Sequence, residues 1–323
     1  MPLPDVQTRR LDLGDFSVLV REAGRGAGTP VLCLHGGPGM SGAYFFPEPG
    51  SPWGPGLRAL AERHHVIAFD QRGCGGSGVP EREDQPLALS RHVDDVERVR
   101  SALGLGPVAL FGHSFGTVLA LLHALARPET LTHLVLSGGA PTRGFVEGYR
   151  RAVEAGLPEA DRRRLAEIQA VPLDDALMRE RFALALPLYL HRPPDPAARD
   201  ALLERVEFSA RVNRALAAGI EEYDMRPALG HVMTPALVAY GASDRVVAPE
   251  HQLELRLPGA RFVAFQESGH FPFLEEPEPF ARVVHYFLRH GAARSPGAAP
   301  RGSDTMSGPG PAAAYGGPTE GDG

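Results

Sequence analysis

The sequence predicts an α/β protein built on a mostly parallel sheet, with helices on both faces and a helical segment inserted between two strands. Short apolar runs of strand type alternate along the chain with helical patterns, which is typical of such a sheet. Residues 141–228 interrupt this alternation with helical patterns rich in Arg and Glu, broken by Pro-rich loops. We therefore expect a layered core with an inserted helical cap.

Seven strands can be identified from the residues. The first, Phe16–Glu22, alternates apolar and polar residues and predicts an antiparallel strand at the edge of the sheet. The other six are short apolar runs of the kind found in buried parallel strands. They are Val31–Leu34, Val66–Phe69, Val108–Phe111, Leu134–Leu136, Ala236–Tyr240 and Arg261–Phe265.

The helices between these strands define the domain organisation. The clearest is predicted from Ser90, which resembles a capping residue, to Leu103, with Gly104 ending it. A second, apolar helix is predicted over Thr117–Ala126. We expect a core formed by residues 1–140 and 229–290, a helical cap over 141–228, and a disordered tail over 291–323, where Gly, Pro, Ala and Ser dominate.

Composition excludes several classes of function. The net charge of −6 over 323 residues argues against a nucleic-acid surface. No run approaches about 18 apolar residues, and the N-terminus lacks the apolar stretch of a signal peptide, so we expect a cytoplasmic protein without membrane association. All 33 basic residues are Arg, which rules out Schiff-base or P-loop lysine chemistry. Composition does not indicate the oligomeric state.

Cysteine and histidine spacing gives no sign of a metal site. The two cysteines, Cys33 and Cys74, cannot form a zinc site by themselves, and no His/Cys cluster has the spacing of metal ligands. Cys33 lies in an apolar run, which favours a buried free thiol over a disulfide. No glycine pattern of a dinucleotide site follows the first parallel strand. We expect neither a metal nor a cofactor.

A candidate nucleophile lies in Gly112-His-Ser-Phe-Gly116, between a predicted buried strand and an apolar helix. In a sharp strand-to-helix turn, small residues flank the serine because its backbone is strained and has little room. The turn exposes the serine hydroxyl at the carboxyl end of the sheet. Ser114 is therefore the candidate nucleophile, against the alternative of a plain glycine turn.

A serine nucleophile needs a base and a third group that orients the base. Serines on such turns are followed along the chain by the acid and then by the histidine. Asp244 follows the strand that ends at Tyr240, and His270 follows the next strand, just before the final helix. Asp224, at the end of the cap, is the weaker candidate for the acid.

A tetrahedral intermediate needs N–H donors directed at its oxyanion. The residue after the nucleophile, Phe115, offers one backbone amide. The loop His35-Gly-Gly-Pro-Gly39 offers a second, which we assign to Gly37, because successive glycines allow amides to point inward. The alternative for this loop is a tight glycine turn without a catalytic role.

The neighbouring segment Asp70-Gln-Arg-Gly-Cys-Gly-Gly-Ser77 follows the next strand. Asp70 and Arg72 can bind substrate, but a salt-bridged loop that supports the glycine turn is the favoured interpretation. His35 and His113 are expected to be structural neighbours of the site. Trp53 and the aromatic run Tyr44-Phe-Phe46 either line a pocket or pack in the core.

At these residues the chain resembles the α/β-hydrolase superfamily over residues 10–290. The motifs His35-Gly-Gly-Pro-Gly39 and Asp70–Ser77 together resemble the proline iminopeptidase family of serine peptidases, which remove N-terminal proline and other residues from peptides. The resemblance implies an eight-stranded sheet, a helical cap, and a triad of Ser114, Asp244 and His270. It implies oxyanion donors at Gly37 and Phe115, and no cofactor.

The sequence also departs from that family. Its members bind the α-ammonium group of the substrate with glutamates, whereas the corresponding positions here are Arg214 and Arg245. A guanidinium repels an ammonium group and favours a carboxylate. Glu221 and Glu222 lie nearby and can restore an anionic site, although a solvated helix end is the favoured interpretation. The Gly-His-Ser-Phe-Gly turn is also closer to esterase-like members.

Three functions follow from these residues. The first is an exopeptidase of the proline iminopeptidase type, acting on a short peptide. The second is an esterase, lactonase or amidase that acts on a small metabolite bearing a carboxylate. The third, disfavoured by the ordered Ser, Asp and His, is a ligand-binding member of the fold without catalysis.

Overall fold

A computed structural model describes residues 3–26, 28–80, 86–219 and 223–291 of the chain. Eight strands form one sheet in the order β1-β2-β4-β3-β5-β6-β7-β8. The strands are β1 (Val6–Asp12), β2 (Ser17–Ala23), β3 (Val31–Leu34), β4 (Val66–Phe69), β5 (Val108–His113), β6 (Leu131–Ser137), β7 (Ala236–Gly241) and β8 (Arg261–Phe265). The predicted mostly parallel α/β architecture is confirmed.

The predicted edge position of the first strand is wrong. The segment predicted as Phe16–Glu22 is β2, which pairs antiparallel with β1 on one side and with β4 on the other. The edge strand on this side of the sheet is β1, which the sequence did not reveal. Leu11 is the one buried residue of β1, so its sequence lacks the apolar alternation that marks a half-buried strand.

Helices cover both faces of the sheet. The helices of the core are α1 (Arg58–Ala61), α2 (Leu89–Ala102), α3 (Phe115–Ala126), α10 (Pro249–Gln252), α11 (Pro272–Glu275) and α12 (Pro277–His290). One apolar cluster joins α1 and α12 to one face of the sheet, and a second joins α2 and α3 to the other. Alternate residues of the buried strands contribute to each cluster, as parallel strands buried on both faces require.

The start of α2 also corrects an expectation. The helix begins at Leu89, the N-cap is Ala88, and no side chain caps it, so Ser90 lies inside the helix. Gly104 follows the helix with a φ of +66°, in the left-handed region where glycine is favoured, and the predicted end is confirmed.

In the described part of the chain between β6 and β7, where the inserted cap is predicted, there are six helices. They are α4 (Phe145–Gly156), α5 (Glu159–Gln169), α6 (Asp175–Tyr189), α7 (Pro196–Arg205), α8 (Ala210–Gly219) and α9 (Arg226–Leu229). Within the described ranges no helix has the length and apolar character needed to cross a membrane. The predicted disordered tail, from residue 292 onward, lies outside the described residues.

Both cysteines are free thiols in the interior. Cys33 and Cys74 are each fully buried. Burial raises the pKa of both thiols far above the usual range, because a thiolate would lose its hydration there. The expectation for Cys33 is confirmed, and neither thiol is suited to nucleophilic chemistry.

Candidate active site

Ser114 lies at the junction of β5 and α3, in a strained backbone conformation. Its φ is 53° and its ψ is −121°, and among the described residues it is the one non-glycine with positive φ. Its backbone N–H donates to the carbonyl oxygen of Ser137 at 2.8 Å, which ties the turn to the end of β6. Such strain persists only where the surroundings enforce it, and it is often associated with function.

The two flanking glycines are required by close approach of the backbone. A Cβ at Gly112 would lie 2.5 Å from the carbonyl oxygen of Gly116, and a Cβ at Gly116 would lie 2.1 Å from that of Leu34. Both obstructing atoms belong to the backbone and cannot rotate away. The Gly-x-Ser-x-Gly spacing therefore lets α3 start directly against β3, which presents Ser114 at the carboxyl end of the sheet.

His270 and Asp244 are hydrogen-bonded to each other in the interior. His270 Nδ1 lies 2.8 Å from Asp244 Oδ2, and the two residues are 1% and 2% exposed. Asp244 follows β7 and His270 follows β8, as predicted. Asp224, the weaker candidate, forms an exposed ion pair with Arg226 instead.

The turn Ser137–Gly138 lies between the serine and the histidine. Ser114 is bonded to the carbonyl of Ser137, and a Cβ at Gly138 would lie only 2.8 Å from Cε1 of the His270 ring. The His270 ring also lies edge-on to the ring of His113, the residue before Ser114, with centroids 4.9 Å apart. The structure thus brings the three predicted residues Ser114, Asp244 and His270 to one place.

Sequence reasoning missed Gln252, which joins Asp244 to that turn. Gln252 Nε2 donates to Asp244 Oδ2 at 2.9 Å, and Oε1 accepts the N–H of Gly138 at 2.9 Å. The side chain is fully buried. Nothing in the sequence marks this glutamine, because no motif links it to Asp244 and Gly138 lies 114 residues away in the chain.

The two predicted oxyanion donors have free N–H groups. Gly37 has a φ of 129°, and Phe115 is the first residue of α3. Among the described residues, no acceptor is bonded to the backbone N–H of either one. A Cβ at Gly36 would lie 2.9 Å from Cβ of Ser114, so the glycine loop lies directly against the nucleophile turn. The N-terminus of α3 adds a partial positive charge beside Ser114.

Residues of the segment 141–228, where the cap is predicted, contact this glycine loop. The side chain of Asn213 in α8 donates to the carbonyl of Pro38 at 2.9 Å, and the N–H of Ser209 donates to the carbonyl of Gly39 at 2.7 Å. A Cβ at Gly39 would lie 2.4 Å from the carbonyl of Ser209. This segment therefore holds the loop that carries the predicted oxyanion donor.

The two arginines predicted to bind substrate are exposed and already hydrogen-bonded to the backbone. Arg214 is exposed and donates to the carbonyl of Leu173, and the exposed Arg245 donates to that of Pro187 at 2.5 Å. Both guanidinium groups are thus bonded to backbone carbonyls of the segment 141–228. Glu221 and Glu222 lie outside the described residues.

The segment after β4 has the supporting role that the sequence favoured. Asp70 is buried, pairs with Arg21 at 2.7 Å and accepts the N–H of Gly42. Arg72 is buried in a two-pronged pair with Asp95 at 2.6 and 2.7 Å. Between them, the side-chain Nε2 of Gln71 donates a hydrogen bond to the carbonyl of His35 at 2.8 Å, which holds the start of the glycine loop.

The aromatic residues near the site pack in the core. Tyr44, Phe45 and Phe46 are 1% exposed or less. Trp53 is 9% exposed and donates its indole N–H to the carbonyl of Ala198 in α7 at 2.7 Å. Of the two interpretations left open by the sequence, packing describes these four side chains.

These features are those of a hydrolase built on the α/β fold. A family model described as the alpha/beta hydrolase fold matches residues 29–277, and the chain belongs to this family. Its relatives and structural neighbours are hydrolases, and the protein is an enzyme of this class. The fold class and the resemblance to proline iminopeptidases are both confirmed.

Individual relatives cover nearly the whole enzyme. A proline iminopeptidase of Heyndrickxia coagulans is 29% identical over 288 residues, covering 81% of this chain and 91% of the relative. A Caulobacter vibrioides protein named "Putative carbamate hydrolase RutD" is 30% identical over 298 residues, covering 87% of this chain and 98% of the relative. The crystal structure of a proline iminopeptidase from Mycobacterium smegmatis, 23% identical, superposes with a TM-score of 0.66 over 88% of this chain and 98% of its own.

Proposed function

We propose that the enzyme is a serine hydrolase that acts through an acyl-enzyme formed on Ser114. His270 Nε2 takes the hydroxyl proton as Ser114 Oγ attacks the substrate carbonyl, and Asp244 holds the imidazole with its proton on Nδ1. The observation that carries this proposal is the buried 2.8 Å bond between His270 and Asp244 beside the strained Ser114 turn.

The remaining steps use the same groups. The N–H groups of Gly37 and Phe115 stabilise the oxyanion of the tetrahedral intermediate. His270 then returns its proton to the leaving amine or alcohol, which departs as the carbon–heteroatom bond breaks. Water, deprotonated by His270, attacks the acyl-enzyme, and the release of Ser114 with its proton restores the free enzyme.

For the substrate we propose the N-terminal aminoacyl or prolyl bond of a short peptide. This is supported by the two glycine-rich motifs and by the similarity to proline iminopeptidases. We propose residues 141–228 as the cap over the site, since Asn213 and Ser209 bond to the glycine loop. Glu221 and Glu222 are the carboxylates proposed to receive the ammonium group.

A second candidate is hydrolysis of an ester, lactone or amide in a small metabolite bearing a carboxylate. Arg214 and Arg245 favour it, because they replace anions where an iminopeptidase binds an ammonium group. The similarity to the protein named as a carbamate hydrolase is consistent with this alternative.

A paired assay distinguishes the two. The wild type and Ser114→Ala are compared on prolyl- and alanyl-p-nitroanilide and on short p-nitrophenyl esters. Prolyl-anilide turnover that depends on Ser114 supports the iminopeptidase, whereas ester turnover without anilide turnover supports the second candidate. Activity retained in Ser114→Ala contradicts both.

A further inference from the structure

A chain of buried hydrogen bonds connects the three loops of the candidate site. The N–H of Gly36 donates to the hydroxyl of Tyr44 at 2.7 Å. That hydroxyl lies 2.8 Å from Nδ1 of His113, and Nε2 of His113 lies 2.9 Å from the carbonyl oxygen of His270. Tyr44 and His113 are each 1% exposed.

The direction of each bond in this chain is determined by chemistry. A carbonyl oxygen only accepts, so His113 carries its proton on Nε2 and donates to His270. Burial lowers the pKa of His113 well below its usual range, so the ring is neutral and Nδ1 accepts. Tyr44 must then donate to His113, which leaves its oxygen to accept from Gly36.

At the glycine loop, this series of hydrogen bonds orients the backbone N–H of Gly37, the proposed oxyanion donor. The carbonyl of Gly36 lies 2.9 Å from His35 Nδ1, and His35 Nε2 accepts the N–H of Gln71 at 2.9 Å, so Nδ1 is the donor. Both polar groups of Gly36 are therefore bonded. In a planar trans peptide the N–H of Gly37 points away from the carbonyl of Gly36, so fixing Gly36 also orients the N–H of Gly37.

We infer that Tyr44 and His113 are positioning residues for the reaction, which tie the glycine loop to the nucleophile turn and to the His270 loop. The inference rests on the proposed function. His113 directly precedes Ser114, so these hydrogen bonds hold the residue next to the nucleophile. Loss of one of these hydrogen bonds lets the Gly37 amide and the His270 backbone move, but it removes no group that touches the substrate.

The test is the reaction of Tyr44→Phe with diethyl p-nitrophenyl phosphate, which releases p-nitrophenol as a reactive serine becomes phosphorylated. The burst amplitude counts competent sites, and its rate reports the attack and oxyanion stabilisation. We expect an unchanged amplitude per folded protein and a rate roughly 10- to 100-fold lower, somewhat less than the loss of a whole oxyanion donor. On an ester substrate, kcat should fall by a similar factor, with KM little changed.

Tyr223→Phe is the matched control. The hydroxyl of Tyr223 likewise donates one hydrogen bond, here to the carbonyl of Ala140, but it lies outside this hydrogen-bond chain. A second pair, His113→Gln and His113→Leu, tests the bonds themselves, because an amide side chain can accept and donate whereas leucine cannot. We expect the Gln variant to keep a rate at least several-fold above that of the Leu variant.

The outcomes separate this inference from the proposed function. Wild-type burst rates in Tyr44→Phe, or equal rates in the two His113 variants, overturn the inference alone. A loss in Tyr44→Phe no larger than that in Tyr223→Phe, with matching falls in Tm, also overturns it. A wild type that is not phosphorylated on Ser114 overturns the proposed function and the inference together.

Discussion

At the scale of single residues, the carboxylate of Asp244 is held by hydrogen bonds on both oxygens. Oδ1 accepts the backbone N–H groups of Val246 and Val247, each at 2.9 Å. Oδ2 accepts from Gln252 at 2.9 Å and faces His270 Nδ1 at 2.8 Å. An ionised carboxylate suits these donors, and it leaves His270 Nε2 free for the proton of Ser114.

Asp244→Asn tests the role of this carboxylate. The amide oxygen of the asparagine can still accept from the N–H groups of Val246 and Val247. The amide NH₂ group then faces His270, where it disfavours a proton on Nδ1. We expect kcat on a p-nitrophenyl ester to fall by about 10³- to 10⁴-fold, with the circular dichroism spectrum unchanged. A fall of less than about tenfold argues against the proposed role of Asp244.

Gln252→Leu tests the residue that the sequence did not reveal. The change removes a donor from Asp244 and leaves the N–H of Gly138 without its acceptor. We expect the free energy of unfolding, measured with urea, to fall by about 1–3 kcal/mol. Unchanged stability would show that Gly138 and Asp244 do not depend on this side chain.

The chemistry-bearing residues could be predicted from the sequence to different degrees. Ser114, Asp244 and His270 each follow a recognisable strand, so their order along the chain predicted their common location. Gln252, Tyr44 and His113 each make at least one hydrogen bond to a residue far away in the chain. Residue type and spacing carry no signal for such contacts.

At the scale of elements, the nucleophile turn depends on a backbone packing that excludes side chains. We expect Gly116→Ala to prevent folding or to destabilise by several kcal/mol, because its Cβ would meet the carbonyl of Leu34 at 2.1 Å. Gly230→Ala is the matched control, since no atom lies within 4 Å of a Cβ there. A thermal melt checks both, and equal Tm values for the two variants would contradict this explanation of the turn.

The elements also show where sequence patterns lose information. Short apolar runs identified β3 to β7, because strands buried on both faces tolerate little else, whereas β8 begins with the exposed Arg261 and is only partly buried. The edge strand β1 has one buried residue, so its apolar signal is absent, and β2 was assigned its place at the edge. The start of α2 was misplaced because Ser90 offers a capping side chain that the helix does not use.

At the scale of the whole molecule, Glu275 connects the inserted segment 141–228 to the loop that carries His270. Its carboxylate accepts the N–H of His191, just after α6, and that of Gly269, each at 2.7 Å. Burial raises the pKa of Glu275 to about 7, while the two N–H donors oppose this rise. The inserted segment and the His270 loop thus share one carboxyl group, whose pKa lies at about 7.

Glu275 therefore makes stability depend on pH. Its pKa in the folded state lies above its ordinary value of 4.5, so folding favours the protonated form. The stabilisation of the folded state by this group is fully present below about pH 4.5 and is lost as the pH rises towards about 7. The total loss in the free energy of unfolding is about 3 kcal/mol.

Urea unfolding of the wild type and Glu275→Gln at pH 5 and pH 8 measures this contribution. We expect the stability of the wild type relative to the variant to decrease at the higher pH. Buried histidines such as His92, whose pKa burial lowers to about 4, act in the opposite direction but are common to both proteins. The same difference in stability at both pH values would contradict the raised pKa of Glu275.

The most direct measurement of the central proposal is the site at which a fluorophosphonate modifies the enzyme, mapped by mass spectrometry of its peptides. With Ser114 as the nucleophile and His270 as its base, we expect one adduct, located on Ser114. It should be absent in Ser114→Ala and form far more slowly in His270→Gln. An unmodified wild type, or an adduct on another residue, would contradict the assignment of Ser114 as the nucleophile.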